Sequence, residues 1–242
     1  MNKVGAAIDK LLFLSRGVLF KDTWRSNQFT PAAALKLIGN SSPLVIEIGC
    51  ADGLDSAAFL GQSNSGVRLI SFEPDPRFYD VNAELASQSA RHIFISSAVS
   101  AKKGIATFHQ SNTPYSSSLQ TPNLQSINEV WPEIQFTSKI TVPTVTLDDQ
   151  LTELAASSVH EDVISPESAI DLIWADVQGG EADLIRGASA TLAKTRFFYT
   201  EFSPEPYYEG ALNLVQIADA LGSSWELMRR YQGDALFRNV QI

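Results

Sequence analysis

The chain has 242 residues, of which 44% are hydrophobic and 19% are charged, so it is long and apolar enough for one globular domain. The formal net charge is -9 and no run of Lys or Arg stands out, so a nucleic-acid partner is not expected. The single cysteine, Cys50, excludes an intramolecular disulfide, and the N-terminus lacks the pattern of a signal peptide. We therefore expect a cytoplasmic protein.

The first 40 residues are predicted to form a helical cap, which precedes a main domain of residues 41–242. Apolar positions in the segment 4–20 recur near helical spacing, which predicts an amphipathic helix. Asp9, Lys10 and Arg16 interrupt this segment, so it is not expected to span a membrane. We expect the helix to pack on the main domain, and binding to a membrane surface is the alternative.

After Pro43, short apolar runs alternate with helical segments, which predicts an α/β fold with a mostly parallel sheet. The expected strands lie at residues 44–48, 67–72, 92–99, 170–177 and 196–202. The expected helices lie at residues 54–60, 77–89, 147–155, 181–193 and 212–221.

Four further segments complete the predicted fold. Residues 139–147 alternate in polarity and could pair with residues 105–109. Residues 110–138 are polar and show little periodicity, so we expect a long loop that forms a flap on the substrate side. Residues 225–231 and 235–240 predict an antiparallel hairpin. Such a hairpin beside a parallel sheet is typical of methyltransferases that use S-adenosyl-L-methionine (SAM), and not of most dinucleotide folds.

A glycine-containing loop follows the first strand, at Gly49-Cys50-Ala51-Asp52-Gly53. Glycines let the backbone approach a ligand, and the helix that follows offers free N–H groups. Glu73 closes the second strand about 20 residues later, where a carboxylate can accept hydrogen bonds from both hydroxyls of a ribose. The spacing indicates an adenosine cofactor, and the alternative is that Glu73 only caps the next helix.

Nicotinamide adenine dinucleotide (NAD) fits the same spacing of loop and acid. The dinucleotide fingerprint requires glycine at its third and sixth positions, where this chain has Ala51 and Leu54. The missing glycines favour SAM. An NAD-dependent oxidoreductase or epimerase is kept as the alternative function.

The succession of motifs resembles the FkbM-type methyltransferases from about Leu44 to about Phe202. The matching segments are residues 45–53 for the SAM loop, 71–76 for the ribose acid, 97–100 beside adenine, 116–119 for a serine-rich loop, 145–149 for a helix start and 176–181 for the most distinctive motif. Two positions depart from the common pattern, since the family often has Asn where this chain has Asp52, and Glu where it has Gln178.

The resemblance implies a Rossmann-like class I methyltransferase fold with a seven-stranded sheet. It also implies methyl transfer from SAM to an oxygen, often a hydroxyl group of a sugar, a polysaccharide or a natural product. The expected cofactor-binding residues are Glu47, Gly49, Cys50, Ala51, Asp52, Gly53, Glu73, Pro74, Ser97, Ala98, Asp176 and Val177. The expected substrate-binding residues are Ser117, Ser118, Gln178 and Glu181.

Asp176 and Glu201 are the expected catalytic residues, because both end strands at the sheet edge where open α/β sheets bind ligands. Asp176 is the first candidate for the base that removes the hydroxyl proton, and the alternative is that it only orients the loop. No metal is expected, because the adjacent acids Asp148 and Asp149 suit the start of a helix without one. A SAM-binding or sugar-binding module without catalysis is a further alternative, and a homo-oligomer is compatible with the sequence.

Overall fold

The computed structural model describes residues 29–61, 66–203 and 205–242. The predicted amphipathic helix at residues 4–20 lies outside the described residues. The first described helix, α1 (Pro31–Ile38), starts after Thr30, whose hydroxyl oxygen accepts a hydrogen bond from the N–H of Ala33 at 3.2 Å. It ends at Gly39, which has a left-handed backbone with φ of 67°.

Seven strands form the main sheet in the order β3-β2-β1-β7-β8-β10-β9. They are β1 (Leu44–Ile48), β2 (Arg68–Phe72), β3 (His92–Ile95), β7 (Ile170–Ala175), β8 (Thr195–Glu201), β9 (Trp225–Arg230) and β10 (Asp234–Asn239). The first five strands in this order pair in parallel, and β10 pairs antiparallel with both β8 and β9. The predicted α/β class, the mostly parallel seven-stranded sheet and the C-terminal hairpin are confirmed.

Helices cover both faces of this sheet. The remaining helices are α2 (Leu54–Leu60), α3 (Tyr79–Ser87), α4 (Leu124–Val130), α5 (Leu147–Ala155), α6 (Glu181–Gly187), α7 (Ser189–Ala193) and α8 (Leu214–Leu221). Because side chains alternate along a strand, Val45 packs with α1 and α2 on one face, whereas Ile46 packs with α5 to α8 on the other. Within the described ranges, no helix is long and apolar enough to cross a membrane.

Aromatic side chains fill the α1 side of the sheet. Phe29 stacks on Trp174 with ring centroids 5.7 Å apart and contacts Tyr199 at 5.2 Å. From the sequence, the N-terminal segment with Trp24, Phe29 and Pro31 is a candidate to cover the cofactor. The structure places Phe29 in this core and Pro31 at the start of α1, and Trp24 lies outside the described residues.

A second sheet of three strands stands beside the main one, in the order β4-β6-β5. Its strands are β4 (Ala98–Val99), β5 (Gly104–Ser111) and β6 (Phe136–Val145). The predicted pairing of β5 with β6 is confirmed, for example by Phe108 opposite Ile140. The single strand predicted at residues 92–99 is wrong, because a tight turn in which the N–H of Ser97 donates to the carbonyl of Ile95 redirects the chain to β6.

Two other predictions are corrected by the structure. Residues 110–138 are not one long loop, because α4 forms within them, where the side chain of Asn123 accepts a hydrogen bond from the N–H of Ser126. The helix predicted at residues 181–193 is interrupted after Gly187. A Cβ atom at Gly187 would lie 2.1 Å from the carbonyl oxygen of Ser100, so only glycine allows this close approach to the segment after β4.

Candidate active site

A cleft opens at the carboxyl ends of β1, β2 and β7, the edge where open α/β sheets bind ligands. The lining residues are Ile48, Gly49, Ala51, Phe72, Glu73, Pro74, Phe78, Ser97, Ala98, Val99, Phe108, Pro114, Tyr115, Ser117, Ser118, Leu119, Gln120, Asp176, Val177, Gln178, Gly180 and Asp183. About half of these residues have apolar side chains, and the carboxylates of Glu73, Asp176 and Asp183 stand among the polar ones. The cleft therefore suits a ligand that has both apolar and polar parts.

Gly49 allows the loop after β1 to lie directly against the backbone of Asp176. Its φ is +83°, and a Cβ atom there would lie 1.9 Å from the carbonyl oxygen of Asp176. The N–H of Asp176 in turn donates to the carbonyl of Ile48 at 2.9 Å. These contacts fix the spacing between the ends of β1 and β7.

Asn82 on α3 anchors the rest of this loop. It is fully buried, and its side-chain N–H donates to the carbonyl of Ala51 at 2.6 Å while its oxygen accepts from the thiol of Cys50 at 3.3 Å. A Cβ atom at Gly53 would lie 2.8 Å from the same oxygen. Cys50, Asp52 and Gly53 therefore shape the loop without lining the cleft, although all three were expected to bind the cofactor.

Glu73 lines the cleft and is 5% exposed. One carboxylate oxygen accepts from the N–H of Ala51 at 2.8 Å and the other from the N–H of Asp75 at 2.7 Å. Burial raises the pKa of Glu73 to about 7, although the two N–H groups favour the charged form. Each carboxylate oxygen keeps a second lone pair, so Glu73 can still accept from the hydroxyl groups of a ligand.

Glu47 lies on the other side of the sheet from the cleft. Its side chain is 2% exposed and accepts a hydrogen bond from the hydroxyl of Ser56 on α2. Burial raises the pKa of Glu47 to about 8. The structure thus places this expected cofactor-binding residue behind the loop, because successive side chains of β1 point to opposite faces.

A roof segment, residues 114–120, closes the cleft from the side of the small sheet. The hydroxyl of Tyr115 donates to the carboxylate of Asp52 at 3.0 Å, and its ring lies 5.9 Å from that of Phe78. Ser97 and Ala98, which are expected to bind the cofactor, also line the cleft.

Arg77 connects the roof segment to the end of β2. Its guanidinium binds the buried carboxylate of Asp75 and donates to the carbonyl of Ser111 at 2.8 Å and to the hydroxyl oxygen of Ser117 at 2.9 Å. The hydroxyl of Ser118 donates to the carbonyl of Gln178 at 2.7 Å. Ser117 and Ser118 therefore line the cleft, but their hydroxyls already hold the roof in place.

Three acids stand side by side on adjacent strands at the edge of the sheet. Asp176 follows β7, Glu201 ends β8, and Asp234 opposite Glu201 begins β10. Burial raises the pKa of all three, to about 6 for Asp234, and the negative charge of Asp176 raises that of Glu201 further. In the described part of the chain, no group of at least three His, Cys, Asp or Glu residues is arranged to hold a metal ion.

Asp176 and Glu201 form an acid pair, because the amide nitrogen of Gln178 lies 2.6 Å from an oxygen of Asp176 and 2.9 Å from an oxygen of Glu201. Burial raises the pKa of both acids, and the charge of Asp176 raises that of Glu201, so the buried setting favours a single negative charge on the pair. Asp176 reaches the cleft, whereas Glu201 lies behind it and is not a lining residue. Both expected catalytic residues are thus brought together.

Gln178 and Glu181 occupy different surroundings, although both were expected to bind the substrate. Gln178 lines the cleft and its amide N–H donates to Asp176 at 2.6 Å and to Glu201 at 2.9 Å. Glu181 is buried at the start of α6, and it accepts from the N–H of Gly179 at 3.3 Å without lining the cleft. Burial raises the pKa of Glu181 to about 7.

Comparison with known proteins assigns the chain to a family. The model of the methyltransferase FkbM domain matches residues 47–238. The chain belongs to the FkbM methyltransferase family. The 2-O-methyltransferase NoeI of Sinorhizobium fredii (strain NBRC 101917 / NGR234) is 34% identical over 253 residues, which cover 95% of this chain and 98% of that protein.

Two solved structures are similar to this FkbM methyltransferase at lower sequence identity. The methyltransferase FkbM of Methylobacillus flagellatus KT is 12% identical, with a TM-score of 0.49 over 82% of this chain and 44% of that one. The N-methyltransferase NodS of Bradyrhizobium japonicum WM9 is 12% identical, with a TM-score of 0.46 over 86% of this chain and 93% of that one.

Several residues of the FkbM methyltransferase site were missed from the sequence. Phe78, Phe108, Tyr115 and Gln120 line the cleft, and Asn82 anchors its loop. The alternation of β5 could have pointed to Phe108 as an inward residue. No local pattern marks the others, because they reach the cleft only through tertiary contacts.

Proposed function

We propose that this methyltransferase transfers the methyl group of SAM to a hydroxyl oxygen of a sugar or a sugar-bearing natural product. The observation that carries the proposal is the proximity in one cleft of a glycine loop with Glu73 and of a carboxyl pair that includes Asp176. Membership in the FkbM family supports methyl transfer. The name of the relative in Sinorhizobium fredii, a 2-O-methyltransferase, supports oxygen as the acceptor atom.

The residues of the cleft fit SAM as cofactor. Gly49 lets the loop lie against the backbone of Asp176, and both Gly49 and Ala51 line the cleft in the loop that would hold the methionine part. Glu73 would accept from the ribose hydroxyls, and Pro74 lies next to it. The remaining expected contacts, Ser97 and Ala98 for adenine and Val177 beside Asp176, line the same cleft.

SAM supplies an electrophilic methyl group on a sulfonium sulfur. The acceptor oxygen forms a bond to the methyl carbon while the carbon–sulfur bond breaks, and the hydroxyl proton must leave. Asp176 is the carboxylate at the cleft that would take this proton, and Glu201 would stabilise its charged form by donating a hydrogen bond. The chain itself therefore contributes positioning and a proton acceptor.

Two further polar side chains that line the cleft could bind the acceptor. Gln120 and Asp183 both line the cleft, and the amide N–H of Gln120 donates to the carboxylate of Asp183 at 3.0 Å. An acceptor hydroxyl could replace either partner in this bond. We propose that Gln120, Asp183 and Gln178 face the acceptor. The hydroxyls of Ser117 and Ser118 would instead hold the roof segment in place. We also propose a cytoplasmic location, with which the single buried cysteine agrees.

Calorimetry with SAM and NAD tests the cofactor, using Glu73→Gln as the variant. The glutamine amide would present N–H groups to the backbone N–H of Ala51 or Asp75, so we expect SAM affinity to fall about 10- to 100-fold. Glu153→Gln, an exposed site on α5, is the matched control and should bind as the unmodified protein does.

The acceptor is tested with SAM labelled in its methyl group and a panel of free and linked sugars. Label appearing in an ether at a sugar hydroxyl supports the proposal. Binding of NAD in place of SAM, or label only on nitrogen acceptors, would overturn it.

A further inference from the structure

Gln178 has an unusual backbone for a residue with a side chain. Its φ is +48°, and Ala51 is the other non-glycine residue with positive φ in the described ranges. Such backbones are costly and persist where the surroundings hold them. Here the carbonyl of Gln178 accepts from the hydroxyl of Ser118 at 2.7 Å, so the roof segment holds the turn after β7.

The side chain of Gln178 is held at both ends of its amide. Its N–H group faces the acid pair, with donor distances of 2.6 Å to Asp176 and 2.9 Å to Glu201. Its oxygen lies 3.3 Å from the hydroxyl of Tyr208, a buried residue whose single hydroxyl proton is shared between this oxygen and the nearer carbonyl of Ser116 at 2.7 Å. Two carboxyl groups on one side and a hydroxyl donor on the other fix which way the amide points.

Tyr208 is itself wedged between the roof and the turn. A Cβ atom at Gly179, where φ is +90°, would lie 2.7 Å from the Cβ of Tyr208 and 3.1 Å from its ring. Glycine at this position is therefore what lets the tyrosine ring lie against the turn. The hydroxyl reaches both the roof and Gln178 because the ring is seated there.

We propose that Gln178, held by Tyr208, is a positioning residue that keeps the acid pair able to accept the proton of the substrate hydroxyl. This inference rests on the proposed function, since it concerns the proton transfer of that reaction. An N–H donor stabilises a carboxylate relative to its protonated form, and Gln178 offers one to each carboxyl group. Without that donor, the pair would hold its proton more tightly and would fail as a base near neutral pH.

The surroundings make this donor important because the charged groups that act on the pair are acids, and the backbone N–H of Gln178 is a further donor that lowers the pKa of Asp176. Glu181 on α6 and Asp234 on β10 raise the pKa of Glu201, and Asp55 on α2 raises that of Asp176. The negative charge of Asp176 in turn raises the pKa of Glu73. Gln178 is neutral and stabilises the charged pair through its hydrogen bonds, and Tyr208 acts on the pair only through Gln178.

The test is the pH dependence of kcat at saturating SAM and acceptor. Gln178→Met keeps the length of the side chain but removes the donor, so the acidic limb of the profile should move up by about one pH unit, with activity recovered at higher pH. Gln178→Glu should move it further because it adds a charge. Tyr208→Phe should produce a smaller shift in the same direction. Tyr207→Phe, whose ring packs on Trp131, is the matched control and should leave the limb in place.

Carbon-13 NMR of labelled carboxyl groups in the SAM-free protein provides a readout that needs no turnover. Signals of the pair, assigned by their loss in Asp176→Asn and Glu201→Gln, should titrate at higher pH in Gln178→Met and in Tyr208→Phe. Equal loss of kcat at every pH, with unchanged carboxyl titration in both variants, would overturn the inference. Shifted titration in a protein that methylates no sugar would support the inference while refuting the proposed function.

Discussion

The cleft has two halves, one formed by the glycine loop and Glu73 and the other by Asp176 with Glu201 behind it. The buried carboxylates of the two halves have very different hydrogen-bond partners. At the end of β2, Glu73 accepts from two backbone N–H groups, which favour its charged form and hold it as a fixed acceptor. At the ends of β7 and β8, Asp176 faces the carboxyl group of Glu201, which can share a proton with it. The comparison indicates that partners, and not burial alone, separate a binding acid from an acid for proton transfer.

The largest effect is expected from Asp176→Asn, which removes the proton acceptor but keeps the shape of the side chain. General acid–base groups typically contribute 10²- to 10⁴-fold, so kcat should fall by about that factor. The oxygen of asparagine can still accept from Gln178, and its N–H can donate to Glu201, so the fold should persist. Single-turnover measurement at saturating SAM checks this prediction.

The affinity of Asp176→Asn for SAM shows whether the change affects catalysis without affecting cofactor binding. Calorimetry should give a Kd for SAM within a few-fold of the unmodified protein, because Glu73 and the glycine loop are unchanged. A kcat within threefold of the unmodified enzyme would mean that Asp176 only orients the loop. A module that binds SAM without catalysis would show no turnover in either protein.

The contact between the two halves is tested by Gly49→Ala. The added Cβ atom would lie 1.9 Å from the carbonyl oxygen of Asp176, and a positive φ already disfavours alanine. We expect the free energy of unfolding to fall by about 3 kcal/mol or more, as measured by urea titration. The matched control is Gly39→Ala, at φ of +67° with no atom within 4 Å, which should cost about 1 kcal/mol.

Equal losses in the two glycine variants would show that backbone strain alone matters and that the loop does not press on β7. If Gly49→Ala loses SAM binding without losing stability, the added methyl group distorts the cleft and does not destabilise the fold.

The sequence predicted the first half of the cleft better than the second, for a physical reason. The loop after β1 and Glu73 follow one another within a single strand–helix–strand unit, so local spacing identifies them. Tyr208 and Gln120 meet Gln178 and Asp183 from distant segments. Such contacts depend on how α4 and the roof fold back over the sheet, which no local periodicity encodes.

Glu47 shows the limit of motif reasoning in the well-predicted half. The motif placed it with the cofactor, but strand alternation turns its side chain toward Ser56 on α2. The same alternation places Ile48 at the cleft. Along β1, the alternation of side chains between the two faces of the sheet therefore indicates which of them face the ligand better than the motif does.

A smaller effect is expected at the link between the halves through the roof, in Arg77→Ala. The change leaves the carboxylate of Asp75, which is 1% exposed, with only neutral donors. It also removes one of the two donors to the hydroxyl oxygen of Ser117 and leaves the N–H of Ser111 as the other. We expect a loss of about 2 kcal/mol in the free energy of unfolding and faster proteolysis within the roof segment.

The control for the arginine is Arg238→Ala, which removes an exposed pair with Glu226 on the terminal hairpin and should change stability little. If both arginine variants lose the same small amount, the guanidinium of Arg77 does not hold the roof. If only proteolysis changes, its role is confined to ordering the roof.

The smallest effect is expected where the roof meets the glycine loop, in Tyr115→Phe. Tyr115 is 58% exposed, and its hydroxyl donates to Asp52 at 3.0 Å across the mouth of the cleft. A single exposed hydrogen bond is weak, so SAM should dissociate only about two- to fivefold faster in stopped-flow displacement.

The variant Asp52→Asn tests the same hydrogen bond from its other partner. The amide oxygen of asparagine can still accept from the N–H of Leu54, but the oxygen that accepts from the hydroxyl of Tyr115 is replaced by nitrogen. If the bond closes the cleft, each single variant should speed dissociation by the same factor and the double variant should add nothing further. Additive factors would mean that the two side chains act separately. In that case the roof would be held by Arg77 and Ser118, at the two flanks of the cleft, and not by a contact across its mouth.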